Sequence, residues 1–508
     1  MSGIVAIIGK NAPEDCKKML AGIQHRGPDI SGIARIGPSV IGQNYLPADV
    51  NGPVENQSIP VPDDSRTSLE VVAYDGQIAN RPTLCRRFDI PAGAFAEERL
   101  LLALHTRFNT EMFAHLDDAI FAFVIADETG GVLAARDLLG IKTLFYAKKN
   151  DAIYLGSEIK ALLPITDEVY EFPPGHYMDH TGRFYPYAQL PDQAPAVRHF
   201  DVDACVYKIR SIIECSLAER IDFRYRTASL LSGGIDSSVI AMLASRLYKS
   251  KFGQHTQLPT FALGVGESND IKNARLVAQH IDSQHHELIV NLDQVIEALD
   301  RTIYYLESFD PSLVRSAVAN YLISKHAARQ GIEVLLSGEG GDEVFCGYIY
   351  LKQLSLDAQF RGQIDCLKFL HNNASLRLDH MNQCNQIRVV APLISGELLN
   401  FALAMAPELK QKPDGDQKIE KWIFRKAFES DLPTEIVWRL KAEFSEGSGS
   451  AGVLPSYFEQ TVDDEELSAI QATHSMIRSK EEYYYFKVFT KYFGEGHSVD
   501  TVGQWITL

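Results

Sequence analysis

Short apolar runs bounded by Asp, Gly or Asn set the pattern of the first half of the chain. Val71-Val72-Ala73-Tyr74, Phe121-Ala122-Phe123-Val124-Ile125-Ala126, Gly131-Val132-Leu133-Ala134-Ala135 and Ile153-Tyr154-Leu155-Gly156 have the length of buried strands. The apolar opening, Ile4-Val5-Ala6-Ile7-Ile8, is only a few residues long, with neither a basic flank nor a cleavage site, and reads as a buried first strand rather than a signal peptide. Between the strands, residues 97–108 place Leu100, Leu101 and Leu104 at helical spacing. The combination predicts a layered α+β domain.

The pattern breaks at Leu190-Pro191-Asp192-Gln193-Ala194-Pro195-Ala196, which places a domain boundary there, between a domain at 1–190 and one at 200–508. Beyond it strands and helices alternate. A helix over 202–220 precedes a strand at 228–231, and a helix begins near Asp236. A strand at 258–263 leads to a helix at 271–281, and a strand at 332–337 ends in a second Gly-rich turn. Alternation of this kind predicts a doubly wound parallel sheet with ligands at the strand C-termini. The remainder reads as mainly helical, without repeats.

Composition narrows the function. The 508 residues are 45% hydrophobic and 23% charged, as in globular proteins, and the formal net charge of -17 opposes broad nucleic-acid binding. No apolar run reaches the length of a membrane span. Seven cysteines, none in a CxxC pair, argue against a disulfide framework or zinc ribbon and for a reducing, cytoplasmic setting.

The sharpest chemical signal is Leu231-Ser232-Gly233-Gly234-Ile235-Asp236-Ser237-Ser238, set between an apolar strand and a helix. Two glycines let the backbone approach a polyphosphate, while the serine hydroxyls and helix-start N–H groups donate to its oxygens. Asp236 would be repelled by bare phosphate, which assigns it to Mg²⁺. An ordinary strand–helix turn explains a lone Ser-Gly-Gly as well; the full string in this context favours phosphate.

This string resembles the pyrophosphate loop of N-type ATP pyrophosphatases, and the rest of the chain resembles the asparagine synthetase family. Leu336-Ser337-Gly338-Glu339-Gly340-Gly341-Asp342-Glu343 with Gly347-Tyr348 is similar to that family's second signature. Phe309-Asp310 with Arg315, His285-His286, Lys418-Ile419-Glu420-Lys421 to Arg425, and Trp438-Arg439-Leu440-Lys441 also match. The resemblance implies that Leu231 and Leu263 border adenine, and that Ser232, Gly233, Gly234, Asp236 and Ser237 bind pyrophosphate and Mg²⁺. Ser337 and Gly338 would line the nucleotide site, Glu339 would be the catalytic carboxylate, Asp342 would assist the metal, and Lys441 would neutralise phosphate charge. Asp310 and Arg315 would hold the acid substrate. A homodimer is a further implication.

Residues 1–190 resemble the family's glutaminase domain, an Ntn-type αββα sandwich, through His25-Arg26-Gly27-Pro28-Asp29, Arg136-Asp137 and Gly156-Ser157-Glu158 with Lys160. Its catalytic positions are altered. Ser2 stands at the nucleophilic cysteine, and Asp75-Gly76-Gln77 replaces Asn-Gly-Glu. Tyr45 falls at the arginine that holds the glutamine carboxylate, and Glu97 at or beside an aspartate. An ionised Asp75 donates nothing to an oxyanion, and a hydroxyl is a far weaker nucleophile than a thiol. The domain is expected to lack glutaminase activity.

The expected activity is therefore adenylation of a carboxylate, aspartate's side chain first, with ATP and Mg²⁺, then aminolysis by ammonia. Two departures, Ser312-Leu313-Val314-Arg315 for Thr-Thr-Ile-Arg and the charge-depleted stretch from Arg388 to Ser395, leave the acid open, and that stretch with Tyr45, Asp75 and Gln77 keeps open a specialised ligase using another amine, as in β-lactam synthetases. A catalytically silent regulatory homologue is the third reading.

Overall fold

The computed structural model describes residues 2–46, 59–63, 69–91, 93, 95–195, 198–266, 268–415, 417–439, 447 and 449–505. The chain forms two compact units: Met1–Leu190 with Thr490–Gly503, and Pro191–Phe489 with Gln504–Leu508.

The first unit holds two six-stranded sheets. Its strands are β1 (Ser2–Ile8), β2 (Ile30–Ile36), β3 (Ser39–Tyr45), β4 (Val61–Asp63), β5 (Glu70–Ile78), β6 (Ala119–Asp127), β7 (Val132–Arg136), β8 (Phe145–Lys149), β9 (Ala152–Gly156), β10 (Tyr170–Glu171), β11 (His176–Asp179) and β12 (Phe184–Pro186). One sheet runs β10-β8-β9-β1-β3-β2, the other β12-β11-β7-β6-β5-β4. Strand alternation splits the core: Val71 and Ala73 join Ile4, Ala6 and Ile8 in one cluster, while Val72 and Tyr74 join Leu100, Leu101 and Leu104 of helix Ala96–Phe108 in another. Helix Pro13–Gly22 packs on β1 and β3. The αββα layering matches the expectation.

In the second unit β13 (Thr227–Leu230), β14 (Pro259–Val265), β15 (Gln284–Val290), β16 (Val334–Leu336) and β17 (Arg388–Val390) form a parallel sheet in the order β15-β14-β13-β16-β17. Strand order reverses between β13 and β16, the crevice where open α/β sheets bind ligands. Helices cover this sheet, and a hairpin of β18 (Gln411–Asp414) and β19 (Gln417–Glu420) follows. Two strands of the parallel sheet, and both strands of the hairpin, escaped the sequence pattern. β15, with Gln284, His285, His286 and Glu287 at its start, lies at the sheet edge and lacks an apolar signature; β17 occupies the first three residues of the charge-depleted stretch from Arg388 to Ser395.

Candidate functional site

Two Gly-rich turns leave neighbouring strands of the parallel sheet, one after β13 and one after β16, and meet over a cavity of about 210 Å³. Leu231, Ser232, Gly234, Asp236, Ser237, Leu263, Ser337, Gly338, Glu339 and Asp342 all line it. Gly233 shapes the turn: at φ +70° its Cα lies so close to Asn273 that a Cβ would sit 2.4 Å from that side chain. Helix Ile235–Phe252 starts at Gly234, which offers no capping side chain, so its first-turn N–H groups face the loop as anion donors. Ser237 Oγ braces the turn, accepting from Ser232 N at 3.2 Å and donating to Gly234 O at 3.1 Å. Gly338 is equally constrained, since a Cβ there would lie 2.5 Å from Ser237 N.

Charge in the cavity is paired. Lys421, with its side chain 0% exposed, bridges Asp236 Oδ2 at 2.5 Å and Asp342 Oδ1 at 2.7 Å. Asp236 Oδ1 is buried without a hydrogen-bond partner. No cluster of three or more His, Cys, Asp or Glu side chains suited to a metal occurs among the described residues. The donor set is thus two carboxylates, the kind of partial cage that suits Mg²⁺ when phosphate and water complete it. Arg377 holds Glu339 through its guanidinium. Arg439 donates to Gly233 O at 2.9 Å and to Asp270 Oδ1 at 3.2 Å, tying another helix start to the loop. Glu343, buried behind Asp342, accepts from the Tyr348 hydroxyl at 2.6 Å. Burial, then the charges of Asp342 and Glu339, pushes its carboxyl up to about 7.

Leu230, Leu231, Phe261, Ala262, Leu263 and Ile323 give one side of the cavity an apolar lining. On the other, Trp505 and Tyr348 meet at a ring separation of 5.3 Å. Trp505 N donates to Asp310 Oδ2 at 3.0 Å, and Arg478 Nη1 donates to Trp505 O at 3.1 Å.

Two expected residues stand elsewhere. Asp310 caps helix Pro311–Arg329 by accepting from Leu313 N at 3.0 Å, and it does not line the cavity. Arg315 is also absent from the lining; it forks onto Glu481, at 2.9 Å to Oε1, beside Tyr485. Lys441 lies outside the described residues. Lys421, Arg377 and Trp505 were not singled out as site residues from the sequence. Lys421 stood in a quoted motif, but no local signal tied the other two to the loops.

In the first unit, Ser2 pairs with Tyr45 across β1 and β3. Ser2 Oγ accepts from Gln43 Nε2 at 3.0 Å, and Ser2 N donates to Asp75 Oδ1 at 3.1 Å. Asp75 Oδ2 receives Arg26 at 2.9 Å and Lys142 at 3.2 Å. Arg26 also donates to Glu158 at 2.7 Å. Burial opposes ionisation of Glu158, but His25, Lys160 and Arg26 hold its carboxyl well below the usual range. The Tyr45 ring packs on Phe95, centroids 5.0 Å apart. A Cβ on Gly76 would strike Ile120 O at 2.4 Å. Gln77 pairs with Ile120 between β5 and β6, and Glu97 accepts from Ile78 N at 3.2 Å.

Comparison with known proteins places this architecture. An asparagine synthase family model matches residues 208–364 and 356–501, and a glutamine amidotransferase domain model matches 1–182. The chain is 31% identical to a probable asparagine synthetase [glutamine-hydrolyzing] of Schizosaccharomyces pombe, over 95% of this chain and 91% of that protein. The chain belongs to the asparagine synthetase family. Its relatives include the asparagine synthetases [glutamine-hydrolyzing] of Triphysaria versicolor, 30% identical over 99% of this chain and 88% of that one, and of Gallus gallus, 32% identical over 83% and 81%. Membership makes this an ATP-dependent carbon–nitrogen ligase acting on small molecules. Among the described residues no helix is long and apolar enough to cross a membrane.

Proposed function

We propose that this ligase adenylates a carboxylate, with the aspartate side chain as the leading substrate, and completes the amide with ammonia rather than glutamine. The carrying observation is the single cavity that unites both Gly-rich turns around the Lys421-bridged carboxylates and Glu339. The apolar side at Leu231 and Leu263 suits adenine. Ser232, Gly233, Gly234 and Ser237, with Ser337 and Gly338, suit the phosphates. Mg²⁺ held by Asp236 and Asp342 would neutralise charge at the phosphate oxygens. Lys421 keeps those two carboxylates together and adds its own positive charge; Lys441 is the second proposed cation. The substrate carboxylate oxygen attacks the α-phosphorus and pyrophosphate leaves. Ammonia nitrogen then attacks the acyl carbon, AMP leaves with the former carboxylate oxygen, and Glu339, kept near by Arg377, takes the proton released by the amine.

The domain at 200–508 carries this chemistry in our reading, and the domain at 1–190 is a glutaminase-like body with a disabled pocket. Asp75 supports this: its carboxylate faces Arg26, Lys142 and Ser2 N, so it accepts where an oxyanion needs a donor. Seven free cysteines agree with a cytoplasmic protein. The test is ATP–pyrophosphate exchange across a panel of acids, with ammonium and glutamine compared as nitrogen sources. Exchange with every acid except aspartate would sink the substrate assignment, and glutamine-supported turnover would sink the ammonia assignment. A second reading, a ligase for another amine, draws on Tyr45, Asp75 and Gln77 in the first unit and on the altered stretch from Arg388 to Ser395; turnover with ammonia alone across an amine panel would reject it.

A further inference from the structure

Helix Pro311–Arg329 presents Ser312, Ser316, Asn320 and Ile323 to the cavity, a spacing of four, four and three that keeps them on one face. Asn320 is the unusual member. It is 4% exposed, and its Nδ2 is buried with no hydrogen-bond partner. A buried amide donor without an acceptor is destabilising, and a ligand oxygen at that position would relieve it. Helix Ala374–Gln383 packs against this face and supplies Arg377 and Leu378 to the same cavity. Arg377 leads to Glu339, so the wall bearing Asn320 adjoins the catalytic carboxylate. Arg315, from the same helix as Asn320, is engaged with Glu481 away from the lining.

We propose that Asn320 is the specificity-determining donor of the acyl half of the cavity, holding an oxygen acceptor at the end of the acid remote from the activated carboxylate. The inference rests on the adenylation reading above and deepens it: Asn320 separates acids with a distal carboxylate or carbonyl oxygen, as aspartate has, from those ending in hydrocarbon or amine alone. Ser312 and Ser316 extend the polar face along which that end lies.

The test uses the full chain and a matched pair, aspartate and β-alanine, which differ by one carboxylate. Binding is measured by calorimetry with Mg²⁺ and a non-hydrolysable ATP analogue, alongside ATP–pyrophosphate exchange, for the wild type, Asn320→Leu and Asn320→Asp. The wild type should bind aspartate more tightly than β-alanine. Asn320→Leu should weaken aspartate about 10- to 100-fold and leave β-alanine and the analogue unchanged. Asn320→Asp, nearly the same shape, should weaken aspartate further through charge repulsion. Equal loss on both acids, loss of analogue binding, no loss, a gain in Asn320→Asp, or a wild type that fails to prefer aspartate each overturns the proposal. Selective aspartate binding through Asn320 without exchange on any acid would retain it and remove the adenylation reading instead.

Discussion

Replacing Asp75 with Asn tests the electrostatic argument for the first unit. Asp75 is 3% exposed and faces two cations, Arg26 at 2.9 Å and Lys142 at 3.2 Å. The amide keeps an oxygen that accepts from Ser2 N but removes the negative charge. Arg26 is 0% exposed and has no route to water, although Glu158 continues to hold it; Lys142, with 11% side-chain exposure, has partial access. Removing one partner of a buried pair costs about 3–5 kcal/mol, and Lys142's access places the expectation near the lower bound. For a unit of about 200 residues, each kcal/mol moves the midpoint by about 2–4 °C, so a fall of about 6–12 °C is expected by scanning calorimetry. The difference should persist in about 1 M salt, since buried pairs are poorly screened. Asp75→Asn should also gain no glutaminase activity, because Ser2 and Tyr45 remain. An unchanged midpoint, or a difference abolished by salt, would refute the buried-pair reasoning; recovered glutaminase turnover would refute the disabled-pocket reading.

Three further outcomes are expected. Lys421→Met should lower stability by about 3–5 kcal/mol in urea titrations and abolish exchange, because Asp236 and Asp342 lose their buried bridge; a variant as stable as wild type would contradict this. Arg315→Leu should also destabilise, leaving Glu481 buried with a lost partner, while the KM for the acid stays within about twofold; a rise above about tenfold would return Arg315 to substrate binding. Glu343 is raised from 4.5 to about 7 by burial first, so the folded state binds its proton more tightly than the unfolded state. That stabilisation is complete below about pH 4.5 and is lost as pH rises through about 7. Asn-like neutrality in Glu343→Gln removes the dependence, so its stability relative to wild type should rise between about pH 5 and pH 8; urea midpoints differing by a constant amount would refute it.

The central strands and several helices were legible where burial imposes a period, as at 71–74 and 121–126. The expected helix at 97–108 is Ala96–Phe108, and that at 202–220 is Val202–Arg220. The Gly-rich turns were legible for the same local reason: Gly233 needs its positive φ wherever the chain turns so tightly. Partners distant in sequence were not. Arg315 looks available until Glu481, 166 positions later, arrives beside it. Asn320 reads as a polar residue on an otherwise ordinary helix until both cavity walls exist. Asp310 carries the local signal of a helix cap, Asp before Pro311, and the structure uses it in that way.

Trp505 gives the cavity an order of completion. The parallel sheet, both Gly-rich turns and Tyr348 are encoded by residue 390, yet the indole that faces Tyr348 comes 115 positions later. At about 5–20 residues per second, translation reaches it about 6–23 s after the last strand. A nascent chain with its sheet assembled therefore still lacks one face of the pocket. That face is completed only once residue 505 has been made, when Asp310 and Arg478 capture the backbone on either side of that indole.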